Sequence, residues 1–303
     1  MVMVNIYITY IVLGLLLPLV ALLYDGIERK MTARIQGRVG PPITQSWLDF
    51  VKLLTKKVKL PEDTNMLMLF TGLVLMFAGA FIPLIMVFMR KGDLILLMYL
   101  MVGGTLGILL TGLAFRSPYS RVGVSREMQM AFAYEISFIF AIVITIMVTG
   151  CRTLEACSAS SIPLMKWPLL LIPFILFLFV APAKVGVVPV DIGEAESEIA
   201  EGPFVEIGGR YLAIAKLSKS MKMLALMQLI TLLYLLPAGV TGVWYWIASF
   251  VIDGVLVFFT ISVVRNAASR IKIDQAVKFY ATVPLAIGII GLVIVYLMRG
   301  WGM

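Results

Sequence analysis

Apolar residues along this chain do not alternate with polar ones. They gather into eight near-continuous runs, at 6–24, 66–89, 94–115, 128–149, 162–183, 221–237, 240–264 and 281–298. A helical residue rises about 1.5 Å and the hydrocarbon core of a bilayer is about 30 Å thick, so runs of this length predict helices that cross a membrane. The expectation is an all-α integral membrane protein, a single membrane domain over residues 1–303. Two connections, 25–65 and 184–220, are too long to be mere links, and function is expected there. Within the first, Ile43, Trp47, Phe50, Val51, Leu54 and Val58 recur at helical spacing, with Thr44, Asp49, Lys52 and Lys56 on the other face. This predicts an amphipathic helix over 43–58 lying at the membrane surface, Trp47 at the headgroup level and the lysines toward anionic lipid. The same pattern also suits a helix docked on protein.

Composition agrees with the pattern. Hydrophobic residues make up 61% and mean hydropathy is +1.02, above the roughly half-apolar make-up of soluble domains. The first run has no basic stretch ahead of it and no small-residue cleavage site before Asp25, so it reads as a mature helix rather than a secretory signal. Histidine is absent, which removes bis-histidine haem and the usual transition-metal constellations. Cys151 and Cys157 fit neither zinc nor iron–sulfur spacing and read as structural. No redox centre or metal is expected in this chain. Twenty of the 25 basic residues fall in the first, third, fifth and seventh connections, with Lys216, Lys219 and Lys222 counted in the fifth. Lys and Arg concentrate on the cytoplasmic side, so the chain is expected in the cell membrane with both termini outside. The net charge of +8 then needs no nucleic acid. That topology puts both cysteines outside, where a disulfide is open to them if their Cα atoms approach to about 4.4–6.8 Å.

Acidic residues change the picture further. Asp191, Glu194, Glu196, Glu198, Glu201 and Glu206, six of the 17, crowd into the second long connection. Carboxylates this dense repel, so they must be paired with cations, wetted or partly protonated, and such groups pass protons. A solvated acidic loop has the same composition. Here, however, apolar Val185, Val187, Val188 and Ile199 flank the run, and Arg210, Lys216, Lys219 and Lys222 follow it. Inside the spans, where charge is costly, stand Glu135 beside Tyr134 and Asp253 beside Gly254. Each is either a proton-path group or a helix-packing hydrogen-bond partner; for Glu135 the expectation is a lone carboxylate. Glycine and proline cluster at 37–42, 186–189 and 202–209, which breaks helices and predicts irregular backbone folded against protein.

Four short motifs tie these features together in chain order. The first is Glu28, Arg29 and Lys30 followed by Arg34, Gln36, Arg38, Gly40 and Pro41; the second is Arg126 with Tyr134 and Glu135. The third runs from Pro189 to Glu198 and continues in Gly202, Glu206 and Gly209; the fourth is Arg265, Arg270, Asp274 and Gln275. With them the chain resembles, over most of its length, the complex I membrane subunit that docks the peripheral arm, and its counterparts in membrane-bound nickel-iron hydrogenases. The resemblance implies a non-catalytic anchor whose carboxylates link a redox site elsewhere to an ion-pumping membrane arm. It implies Glu135, Asp191, Glu194, Glu196, Glu198 and Glu206 in a proton-linked network, to which Glu201 and Asp253 are added as coupling candidates. Arg29, Arg34 and Arg38 are implied as docking residues, with Arg126, Arg210, Arg270 and Asp274 as further candidates. Iron–sulfur clusters and a nickel-iron site are implied in partners: hydrogenase large- and small-subunit-like proteins, a ferredoxin-like iron–sulfur subunit and antiporter-like membrane subunits.

Departures refine the expectation. Where quinone-reducing members look like Gly-Pro-Asn, Phe-Asp and Glu-Tyr-Ser-Gly, this chain has Gly40-Pro41-Pro42, Val190-Asp191 and Glu206-Ile207-Gly208-Gly209. An aromatic and a hydroxyl are gone, which favours a ferredoxin-linked complex that evolves hydrogen or reduces a sulfur compound. The alternative is a quinone-site subunit of an NADH:quinone oxidoreductase. A self-sufficient secondary transporter would show broken helices in matched halves, and no such halves are seen.

Overall fold

The computed structural model describes residues 2–159, 164, 168–236 and 242–300. Its elements are helices; the one β feature among the described residues is an isolated bridge between Asp93 and Thr153. The start of the fifth predicted span (residues 162–163), Lys166 and the residues around 237–241 lie outside the described set. Helices α1 (Val2–Ile35), α2 (Gln45–Thr55), α3 (Met66–Met89), α4 (Leu94–Leu113), α5 (Pro118–Thr149), α6 (Leu154–Ala159), α7 (Leu171–Val185), α8 (Glu196–Ile199), α9 (Gly209–Ile230), α10 (Val243–Val257), α11 (Val264–Ala267) and α12 (Ile273–Gly300) follow in order. Asn65 and Asp93 cap α3 and α4 by accepting from the amides of Met68 and Ile95, satisfying donors that a helix start leaves open.

Among the described residues, six helices are long and apolar enough to cross a membrane. The first predicted span falls in α1, 34 residues long with its charged residues all after Tyr24, and the sixth in α9, 22 residues long with Arg210, Lys216, Lys219 and Lys222 in its first two thirds. Both helices overrun their predicted ends, because no breaker intervenes. The first stays helical until just before Gly37, so Glu28, Arg29, Lys30 and Arg34 sit on α1, not in a loop. The ninth begins already at Gly209, so Arg210, Lys216, Lys219 and Lys222 belong to a buried helix rather than to the acidic connection. What remains irregular there is the stretch from Gly186 to Gly208, folded into short turns.

Close helix contact is bought with glycine. A Cβ on Gly79 of α3 would stand 2.4 Å from the Gly104 amide nitrogen of α4, and one on Gly107 2.4 Å from that of Met76. Small residues let membrane helices approach until backbones touch. At one end of the bundle Arg29 pairs with Asp49, Arg265 with Glu28, Arg126 with Glu198 and Arg270 with Asp191. At the other end the α3–α4 and α5–α6 connections meet, with Arg152 on Asp93 at 2.8 Å.

The amphipathic helix is shorter than expected and docks by its polar edge. Ser46 Oγ donates to Asp25 at 2.6 Å, and Asp49 accepts from Arg29 at 3.0 Å. Trp47 donates to the Leu19 carbonyl at 2.9 Å. Leu48, Val51 and Leu54 point outward. Gly26 makes room, since a Cβ there would lie 1.9 Å from the Ile43 carbonyl oxygen. One edge of the helix, with Trp47 and Phe50, thus packs on protein, while Leu48, Val51 and Leu54 stay exposed.

No disulfide joins Cys151 and Cys157. Cys157 donates its thiol hydrogen to the Cys151 carbonyl at 3.5 Å, and burial, with Cys151 beside it, pushes its pKa up to about 12. It stays a thiol, and only a thiolate attacks.

Candidate functional site

The loop and its basic helix come together because glycines let them. Gly193 lies so near α5 that a Cβ would stand 2.5 Å from Glu127 Oε2, and one on Gly202 would meet the Gly193 carbonyl oxygen at 2.2 Å. Gly202 also adopts φ 47°, a left-handed conformation that favours glycine. The loop's carboxylates thus lie against α5 and α9.

Three lysines recur at every third position of α9, and each faces a carboxylate. Lys216 Nζ stands 3.8 Å from Glu201; Lys219 is paired with Glu194 and donates to the Gly186 carbonyl at 3.1 Å. Lys222 and Glu127, both buried, line one small void together with Glu194, Lys219 and Lys184. Exposure falls along this ladder: the Lys216 side chain is 51% exposed, that of Lys219 31%, and Lys222 as a whole 6%. Its inner end is Glu135, which takes Lys184 Nζ on both carboxylate oxygens at 2.6 Å and accepts from Thr105 at 3.3 Å. Lys184 is fully buried over the Phe138 ring, 4.1 Å from its centroid.

Glu135 is therefore not the lone carboxylate that was expected. Burying one unpaired charge costs several kcal/mol, and a buried partner with good geometry offsets that cost. Lys184 and Glu127 escaped the sequence reading because each lies one residue outside a predicted span. The available signal was position: Glu127 precedes Tyr134 by seven residues, two helical turns, and so shares its face.

Beyond the ladder, a cavity of about 540 Å³ opens between α1, α2, α9 and the acidic loop. Glu28, Asp49, Glu196 and Glu201 are among its polar walls, and Phe50, Leu53, Leu212 and Met223 among its apolar ones. Val190 and Ile207, where the chain departs from quinone-type members, are buried and do not line it. Of the remaining candidates, Asp191 and Glu198 are held by Arg270 at 2.7 Å and Arg126 at 2.5 Å. Arg34, Arg38, Arg210 and Asp274 are exposed at the same end, and Glu206 is half-buried. Asp253 stands apart, buried between α9 and α10.

The chain has known relatives. The family model described as NADH dehydrogenase matches residues 7–296. The chain belongs to this family. It is 30% identical to hydrogenase-4 component C of Escherichia coli, covering 72% of this chain and 71% of that protein. It is 28% identical to formate hydrogenlyase subunit 4 of the same organism, over 86% and 90%. A subunit of the NADH-quinone oxidoreductase of Geobacillus kaustophilus is 27% identical, over 90% of this chain and 88% of that protein. Among solved structures, a chain of the archaeal membrane-bound sulfane sulfur reductase, a respiratory membrane complex, superposes with a TM-score of 0.86 at 25% identity, covering 96% of this chain and 99% of that one. The protein is a multi-pass membrane subunit of a complex I-like or hydrogenase-like complex, and its partners are subunits of such a complex.

Proposed function

We propose that this family member is the non-catalytic membrane anchor and coupling subunit of a ferredoxin-linked, ion-translocating, hydrogenase-like complex. One observation carries the reading: lysines and carboxylates follow one another from the Lys216–Glu201 pair at the cavity, through Lys219–Glu194 and the void shared by Lys222 and Glu127, to Lys184–Glu135 inside the bundle. In such a succession a change of charge at the outer pair alters the proton affinity of the next. Electron transfer in a partner docked at the loop end would supply that change. Arg34, Arg38, Arg210 and Asp274 offer exposed charge for docking, while Arg29, Arg126 and Arg270 brace the loop and α2 through their own ion pairs. Iron–sulfur clusters and a nickel-iron site belong to the partners in this reading. Mass spectrometry of the gently solubilised complex should find large- and small-subunit-like hydrogenase proteins, a ferredoxin-like subunit and antiporter-like membrane subunits. Companions typical of a single-protein transporter, or none, would overturn the proposal.

The cavity favours a second reading, a quinone-site subunit, since its volume and partly apolar wall fall in the range of small-molecule sites. The first reading expects turnover that ignores quinone-site inhibitors and a complex free of co-purified quinone. Inhibition at low concentration, or stoichiometric quinone, selects the second.

The basic asymmetry supports a plasma-membrane topology with the Arg29 end of the bundle toward the cytoplasm and both termini outside. A single cysteine replacing Gly92, in the α3–α4 connection, should react with impermeant reagent from outside only. Reaction from the cytoplasm alone would reverse the topology.

A further inference from the structure

Asp253 lies near the middle of the apolar helical span Trp244–Ala267 that α10 opens, 1% exposed. Its carboxyl meets the Thr231 hydroxyl at 2.5 Å, and among the described residues no lysine or arginine forms an ion pair with it. A carboxylate left unpaired at such depth costs several kcal/mol, a cost the neutral acid avoids. Packing alone would be served as well by asparagine.

Polar groups surround it, and one set of them reaches toward the α3–α4 connection. Thr231 opens a π-helical turn, Thr231–Leu235, a departure that frequently marks functional sites. One turn earlier on α9, Gln228 is fully buried; its amide nitrogen donates to the Tyr245 hydroxyl at 2.9 Å, while its amide oxygen has no partner. Tyr245, Ser249 and Asp253 follow at every fourth position of α10, one face of the helix, all buried. The half-buried Arg90 guanidinium covers the Tyr245 ring at 3.4 Å and stands on the α3–α4 connection, at the bundle end opposite the acidic loop.

The lysine ladder does not reach this place. From Lys222 to Thr231 is nine residues, which at 3.6 per turn carries the side chain about half a turn round α9 and about 13 Å along it. The titratable groups around Asp253 are Tyr24 of α1, which donates to the Phe250 carbonyl at 2.8 Å, and Tyr245 of its own helix, with Arg90 beyond. Gln228 of α9 and Thr231 of the π-helical turn after it are neutral.

We propose that Asp253 is a proton-exchange site separate from the ladder, trading its acid proton with the membrane face that carries the α3–α4 connection, along Thr231, Gln228 and Tyr245. On release the acid O–H bond breaks and the proton passes to solvent at that face. The carboxylate left behind accepts from the Thr231 hydroxyl. The site differs from the coupling network both in position and in the face it serves.

The test is carbodiimide labelling of the intact complex in sealed vesicles, with the pH on each face set independently. Dicyclohexylcarbodiimide crosses lipid and modifies protonated carboxyls in apolar surroundings. Peptide mass spectrometry should find the adduct on Asp253 of the unaltered protein, declining as the α3–α4 face is made alkaline and indifferent to the other face. Tyr245→Phe should slow that response without abolishing the adduct. Absence of the adduct at every pH, or labelling that follows the pH of the opposite face, overturns the proposal. So does protection by sodium at constant ionic strength, which would make the occupant a sodium ion. Because the readout is one side chain's protonation, its failure leaves the coupling proposal standing, and failure of coupling leaves this one.

Discussion

Lys184→Met should prevent a stable complex from accumulating. Methionine matches the length of the lysine stem but donates nothing, and Glu135 would keep only Thr105 among its present partners. Removing one member of a buried ion pair typically costs about 3–5 kcal/mol, since the survivor's charge is left uncompensated. The Lys184 side chain has no solvent exposure and that of Glu135 12%, so little screening softens the loss. Adding Glu135→Gln to Lys184→Met removes both charges and should restore most of the stability. The check is the yield and thermal midpoint of the detergent-solubilised complex for wild type, both single variants and the double variant. Equal midpoints for Lys184→Met and wild type would show that the pair does not hold the bundle.

Glu135→Gln alone should do the reverse, sparing assembly and abolishing coupling. The amide oxygen still accepts from Lys184, and Glu127 and Glu194 remain along the same void to balance the lysines. What is lost is a titrating group at the inner end of the ladder. Reconstituted vesicles should therefore show electron transfer near the wild-type rate while the ion gradient formed per electron falls to background. A variant that assembles and pumps at the wild-type ratio would leave Glu135 a packing residue. The two substitutions strike the same ion pair from opposite sides, so together they separate its structural weight from its proton chemistry.

Much of this protein was legible as a string. Apolar runs matched to bilayer thickness gave the membrane class and the helical architecture, because a bilayer leaves unpaired backbone groups no other partner. The crowded carboxylates and the glycine and proline clusters at 186–189 and 202–209 marked the irregular acidic loop, and the four motifs pointed to the family. Helix ends were less visible. Charged residues such as Arg29 and Lys219 look like loop in a hydropathy pattern, yet nothing stops a helix from running on through them, as α1 and α9 do. Only the tertiary structure paired Lys184 with Glu135 and Lys219 with Glu194, 49 and 25 residues apart, and set Asp253 on the far side of α9. Sequence determines which residues lie on one face of a helix; which helix meets that face depends on side-chain volume and on where glycine permits contact, and that is settled only when the bundle packs.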